Sequence, residues 1–173
     1  LVPLIAPAVR IPVIAAGGIA DARGVAAAQA LGAQAVQIGT AFLACEESAA
    51  PAMHRERLFE RGLGTVLSRV YTGRLARGIR TRLHEELQDA ERLPYPAQGW
   101  LIGGLRAAAL AQGRADLISL WSGQAAGLLT HRRAPDLMAA LTTPPPSLTG
   151  RRTRRPSRSS TTTFTDTSSP HRR

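Results

Sequence analysis

Residues 11–40 read IPVIAAGGIADARGVAAAQALGAQAVQIGT, and the order of apolar runs, glycine pairs and polar breaks in it points to an α/β architecture. Ile11 to Ala16 is a short continuous apolar run, the pattern of a strand buried on both faces of a parallel sheet. Pro12 is tolerated near its start because the first strand residue need not donate to the ladder. Gly17-Gly18 ends the run. Asp21 is suited to a helix N-cap, since its carboxylate can accept from free N–H groups of the first turn. Residues 22–31 are Ala-rich helix formers, and Gly32 is a C-terminal stop. Ala35 to Ile38 is a second buried-type strand, closed by Gly39-Thr40. The stretch is therefore predicted to be a βαβ unit with a glycine turn at each strand end.

Those turns are candidates for phosphate binding. A phosphate needs several N–H donors converging on it with no side chain in the way, and glycine permits that approach. A helix N-terminus behind the first turn adds free N–H groups and the positive end of its dipole. In (β/α)₈ barrels the phosphate site is often built from the loops after strands seven and eight. By spacing alone, phosphate binding and simple turn formation both stay open.

Outward from this unit, residues 1–10 fit the last turns of a helix. A helix opened by Ser48, with Pro51 in its first turn, is predicted to run to about Arg61. Thr65 to Thr72 is read as a strand, Gly73 to Gly78 as a basic loop and Ile79–Leu93 as an amphipathic stretch. Pro94-Tyr95-Pro96 breaks the chain. Leu105–Gln112 and Ile118–Thr130 are predicted helices. From about Thr142 the composition shifts to Pro, Arg, Ser and Thr with almost nothing to bury, so a disordered tail is expected.

The 173 residues contain no Lys and carry a formal net charge of +10. The segment 142–173 holds seven arginines against one acid, Asp166, so more than half of that charge sits in the tail. With one cysteine, Cys45, an internal disulfide and a multi-cysteine zinc site are excluded. A cytoplasmic setting is the expectation. No uninterrupted apolar run reaches the roughly 18 residues of a membrane span. The N-terminus, Leu-Val-Pro-Leu-Ile, lacks a start Met and a charged leader region, which leads us to expect a chain that begins inside a longer one. His54, His84, His131 and His171 show no metal spacing and are read as surface or helix-face residues. Cys45 is read as a small packed residue, and Glu46 and Glu47 as helix-start charges. Arg74 and Arg77 suit an anion contact or a solvated loop equally. Trp121 and Gln124, at i and i+3 of the predicted helix, are assigned to packing. The tail has no aromatics interleaved for base stacking, so nucleic-acid binding is not expected.

Four blocks, in order, resemble the nitronate monooxygenase (2-nitropropane dioxygenase) family. Residues 12–32 resemble its seventh strand and helix, and residues 35–48 its eighth strand and turn. Residues 72–78 (TGRLARG) and 119–127 (SLWSGQAAG) are similar to its C-terminal segments. The resemblance implies an α/β fold. Residues 1–62 would be the C-terminal part of a (β/α)₈ TIM barrel, 63–141 an α/β extension and 142–173 the disordered basic tail. It implies FMN as cofactor, with the phosphate held at Gly17, Gly18, Gly39 and Thr40. It further implies a small nitronate substrate oxidised with dioxygen to a carbonyl compound and nitrite. The family's catalytic histidine belongs to an earlier strand end, so no catalytic residue is assigned within this chain and no metal is expected. The alternatives are a flavin-dependent enoyl reductase, or a phosphate-binding barrel of the inosine monophosphate dehydrogenase class. That class normally has an acid where this chain has Ala16. A non-catalytic remnant binding polyanions through its tail is the reading of a different kind.

Overall fold

A computed structural model describes residues 1–62 and 64–145. Residues 146–173, on which most of the expected tail falls, lie outside the described residues.

The βαβ unit forms as the sequence predicts. Strand β1 (Ile14–Ala16) pairs in parallel with β2 (Ala35–Gln37), in the register Ile14–Ala35, Ala15–Val36 and Ala16–Gln37. Between them runs α2 (Ala22–Ala30), which follows the short N-terminal α1 (Val2–Ile5). Asp21 caps α2 by accepting from the Gly24 N–H at 2.9 Å. The helix lays Ala28 on Ala15 and Ala33, with Val2, Ile19 and Val36 filling the edges. Burial on both strand faces is not observed. Ala15 is buried, whereas its neighbours Ile14 and Ala16 are exposed, as are Ala35 and Gln37. One face of the two-stranded sheet is covered by helix, and the other is open.

After β2 the chain turns into α3 (Thr40–Leu43) and then α4 (Ala52–Phe59). Ser48 does not open α4. Its hydroxyl donates to the Leu43 carbonyl and accepts from the Ala50 N–H, closing the preceding loop, and Pro51 is the N-cap.

The second half departs further from the sequence reading. Strand β3 (Thr65–Ser68) stops before Thr72 and pairs antiparallel with β4 (Ala76–Ile79). The supposed basic loop 73–78 is therefore half strand. Gly78 explains why: an added Cβ there would lie 2.8 Å from the Leu120 carbonyl oxygen, so the glycine admits a third chain. That chain is 118–122. Its residues were predicted to be helical but are extended along β4, with the Ile79 N–H donating to Leu120 O at 2.8 Å and a bridge between Gly78 and Trp121. Ile118, Leu120 and Ser122 are buried while Ser119 and Trp121 are less so, a period of two. Only Gln124–Leu128 coils, as 3₁₀ turns. Trp121 and Gln124 thus share no helical face, and Trp121 instead meets Tyr71 edge-on at 5.5 Å between ring centres.

Of the amphipathic stretch 79–93, only α5 (Arg82–Leu87) is helical, capped by Thr81. Helices α6 (Ala97–Leu101) and α7 (Gly103–Ala111) follow the proline break. Helix α8 (Ala134–Thr142) was not anticipated. It has Pro135 in its first turn and seats Leu137 against Ala20, Ala41 and Cys45. The main core joins Ala44 and Leu58 to Ile79, Ala109, Ile118 and Leu120. Each fully buried Leu or Ile in it contributes about 1.5–3 kcal/mol of transfer free energy.

Candidate functional site

The β1–β2 register fixes where the two glycine turns stand. Ala16 lies opposite Gln37, so Gly17-Gly18 and Ile38-Gly39-Thr40 leave adjacent parallel strands at the same end. The turns are neighbours on one rim. Gly17 and Gly18 have φ of +93° and +73°, a region that disfavours side chains. No atom would lie within 4 Å of a Cβ on Gly17, Gly18 or Gly39, so all three backbones face open space. Gly39 is the N-cap of α3, and Thr40 its first residue.

Thr40 has a second role that sequence reasoning missed. Its hydroxyl oxygen accepts from the Gly123 N–H at 2.9 Å, across 83 residues of chain. The Trp121–Gly123 segment is held from three sides. Thr40 grips Gly123, Arg77 O accepts from the Ser122 N–H, and His54 Nε2 donates to Trp121 O at 2.9 Å.

Two histidines differ from expectation. His54 and His84, read as surface or helix-face residues, do lie on helices, α4 and α5, but on buried faces, at 4% and 7% exposure. Both lie on helices whose other faces are charged, and that masked the buried position. Burial pushes the His54 imidazole below its ordinary pKa, and the bond to Trp121 O offsets this only in part. His84 is lowered by burial first and then by the charges of Arg80 and Arg92. Neither histidine stands at a strand end.

Cys45 is 1% exposed, and its thiol donates to Ala41 O at 3.3 Å. Burial, with Glu47 and Glu46 adding to it, raises the thiol pKa, the opposite of what a nucleophile requires. Glu47 accepts from the Ala134 N–H and so secures the start of α8. Arg74 stacks over the Tyr95 ring at 4.1 Å, and Arg77 donates to Thr65 Oγ1 at 3.1 Å. Among the described residues no group of His, Cys, Asp and Glu could hold a metal ion, and no helix is long and apolar enough to cross a membrane.

Comparison with known proteins extends over the same residues. The sequence profile described as "Nitronate monooxygenase" matches residues 1–143. The chain belongs to the nitronate monooxygenase family. A probable nitronate monooxygenase of Bacillus subtilis (strain 168) is 45% identical over 134 residues, covering 76% of this chain and 39% of its own length. One from Staphylococcus aureus (strain Newman) is 44% identical over 142 residues, covering 80% and 40%. Among solved structures, nitroalkane oxidase from Streptomyces ansochromogenes superposes with a TM-score of 0.77 at 39% identity, over 82% of this chain and 41% of that one. The M276A mutant of FabK from Thermotoga maritima gives 0.64 at 38% identity, over 82% and 43%. This member of the nitronate monooxygenase family thus spans about 40% of the length of the curated relatives it matches.

Proposed function

We propose that this chain forms the phosphate-gripping end of an FMN-dependent (β/α)₈-barrel oxidoreductase that converts alkyl nitronates, with dioxygen, to a carbonyl compound and nitrite. One observation carries the reading: both glycine turns emerge on the same rim, with their backbones facing open space. Backbone N–H groups at Gly17, Gly18, Gly39 and Thr40 would bind the phosphate, and the Thr40 hydroxyl would add a donor. The residues fit the group, because a side chain at any of the three glycines would occupy the space a phosphate needs.

The open face of the sheet supports the barrel. In that architecture one face of each strand is covered by helices and the other fills the interior. Here Ala15 and Val36 meet α2, while Ile14 and Ala16 lie opposite the helix layer. Residues 1–62 would belong to the barrel, with β1 and β2 as its seventh and eighth strands, and 63–141 to the extension. The Thr40–Gly123 bond and the core shared by Leu58 and Leu120 would join the two. Residues 142–173 would follow as the tail, though α8 runs through Thr142. When bound, FMN supplies the two-electron redox chemistry and the reaction with dioxygen. The contribution of this chain is to bind and orient the cofactor.

Protein purified natively from its source should be yellow and release FMN on denaturation. With 2-nitropropane anion or propionate-3-nitronate it should consume dioxygen and release nitrite. A colourless protein that takes up no added FMN would exclude the reading.

A further inference from the structure

The groove between β3, β4 and α5 is unaccounted for by the flavin reading. It encloses about 460 Å³, and its walls include Ser68, Arg69, Arg80, His84, Asp89 and Arg92. Three guanidiniums and an imidazole thus face one carboxylate. None of the three arginines has a carboxylate within ion-pair distance among the described residues. Arg69 and Arg92 reach only backbone carbonyls, at the long distances of 3.4 and 3.5 Å.

Two enclosed atoms belong to residues of the groove's basic lining. Among the described residues, His84 Nδ1 and Arg92 Nε are enclosed and have no hydrogen-bond partner. Arg92 Nε always carries a hydrogen and is thus an enclosed donor without an acceptor, and guanidiniums gathered around a histidine repel a proton on the ring. Arg80 and Arg92 both lie close enough to His84 to act on it in this way, and Glu85 opposes them only in part. The local field is positive and only partly offset by Asp89 and Glu85, in a concave setting that strengthens it. The missing counterpart is an anion.

We propose that this groove binds a phosphate group, held by charge-assisted hydrogen bonds from Arg69, Arg80 and Arg92, with the His84 ring in its wall. A tetrahedral dianion matches the donors in number and charge, and guanidinium forks suit its oxygens. The site lies in the extension rather than at the glycine rim. It does not depend on the flavin reading, since no residue is shared between the two.

The test is a titration of the native protein, saturated with FMN, with inorganic phosphate at constant ionic strength. The His84 ring resonances report it, assigned by their loss in His84→Gln, and calorimetry gives the stoichiometry. A saturable shift at one site, unchanged by excess FMN, is expected. Affinity should fall roughly tenfold or more in Arg80→Ala and in Arg92→Gln, the usual weight of a charge-assisted bond. Arg80 is exposed, so an unaltered circular dichroism spectrum for Arg80→Ala separates lost binding from lost fold. Tighter binding of methyl phosphate than of inorganic phosphate assigns the group to a larger metabolite, and the reverse order assigns it to the free ion. A response that chloride reproduces, an absence of saturation, or an affinity indifferent to both substitutions overturns the proposal. Protein lacking flavin can be titrated in the same way, so failure of the flavin reading leaves this test intact.

Discussion

At the scale of single residues, the glycine rim permits a separation of stability from binding. Gly18 has positive φ, so Gly18→Ala adds backbone strain of about 1–2 kcal/mol. Gly39 has φ of −99° and nothing near its missing Cβ, so Gly39→Ala should leave the melting temperature nearly unchanged. If the rim holds the phosphate of FMN, that methyl group still obstructs it. Flavin titration should then show affinity weakened by roughly tenfold or more, equivalent to losing one good charge-assisted bond. Normal affinity in Gly39→Ala would remove Gly39 from the site. His54 gives a pH prediction. Its pKa is lowered by folding, so the unfolded chain binds the proton more readily. Its contribution to stability is fully present above the unfolded value of about 6.5 and is lost as pH falls through the lower folded value. His84 acts with the same sign. The lowered carboxylates Asp21, Glu47 and Asp116 act only in a more acidic window. Melting temperature should therefore drop between pH 7 and pH 5, and His54→Gln, which can retain an N–H donor to Trp121 O, should show a shallower drop.

At the scale of elements, the third chain alongside β4 is the joint most sensitive to substitution. Gly78→Ala would place a methyl carbon 2.8 Å from the backbone oxygen of Leu120, where no flexible side chain can yield. Overpacking of this kind destabilises by about 1–3 kcal/mol, and urea denaturation should register it at the upper end. Leu120→Ala removes a side chain that is 1% exposed and should destabilise by about 2–5 kcal/mol. Were 118–122 a surface helix instead, both changes would be mild. This element was only partly legible from the sequence. Ser119 and Ser122 carry no β-preference, and the Ala-rich residues that follow Trp121 favour a helix, so the segment's local propensity was mixed. The period-two alternation of Ile118, Leu120 and Ser122 was the available signal. Strand β4 was hidden for a related reason: Arg77 and Gly78 look like loop residues until the close approach of Leu120 gives the glycine its purpose. Both were decided by partners distant in sequence.

At the scale of the whole molecule, stability should be distributed unevenly. The core of Leu58, Ile79, Ile118 and Leu120 is closed on all sides, whereas β1 and β2 form a two-stranded sheet with one bare face. Among amides paired within the two sheets, hydrogen exchange on this chain alone should therefore be slower around Ile79 than at Ile14–Ala16 and Ala35–Gln37. Ile14, 60% exposed here, offers a sharper comparison. Ile14→Ala should change the stability of the isolated chain by less than about 0.5 kcal/mol. Within a closed barrel the same change should destabilise by about 2–5 kcal/mol. Equal effects in both settings would argue against an interior position for that face.

Consecutive residues are enough to specify the βαβ unit, its cap at Asp21, its stop at Gly32 and the two glycine turns. Those features are local: each depends on backbone preferences and hydrogen bonds within a few residues, and such information is written in consecutive positions. The tertiary fold added that Thr40 reaches Gly123, that His54 and His84 lie inside, and that three arginines line one groove. Those outcomes rest on contacts between segments tens of residues apart, whose energy exists only once the intervening chain has folded.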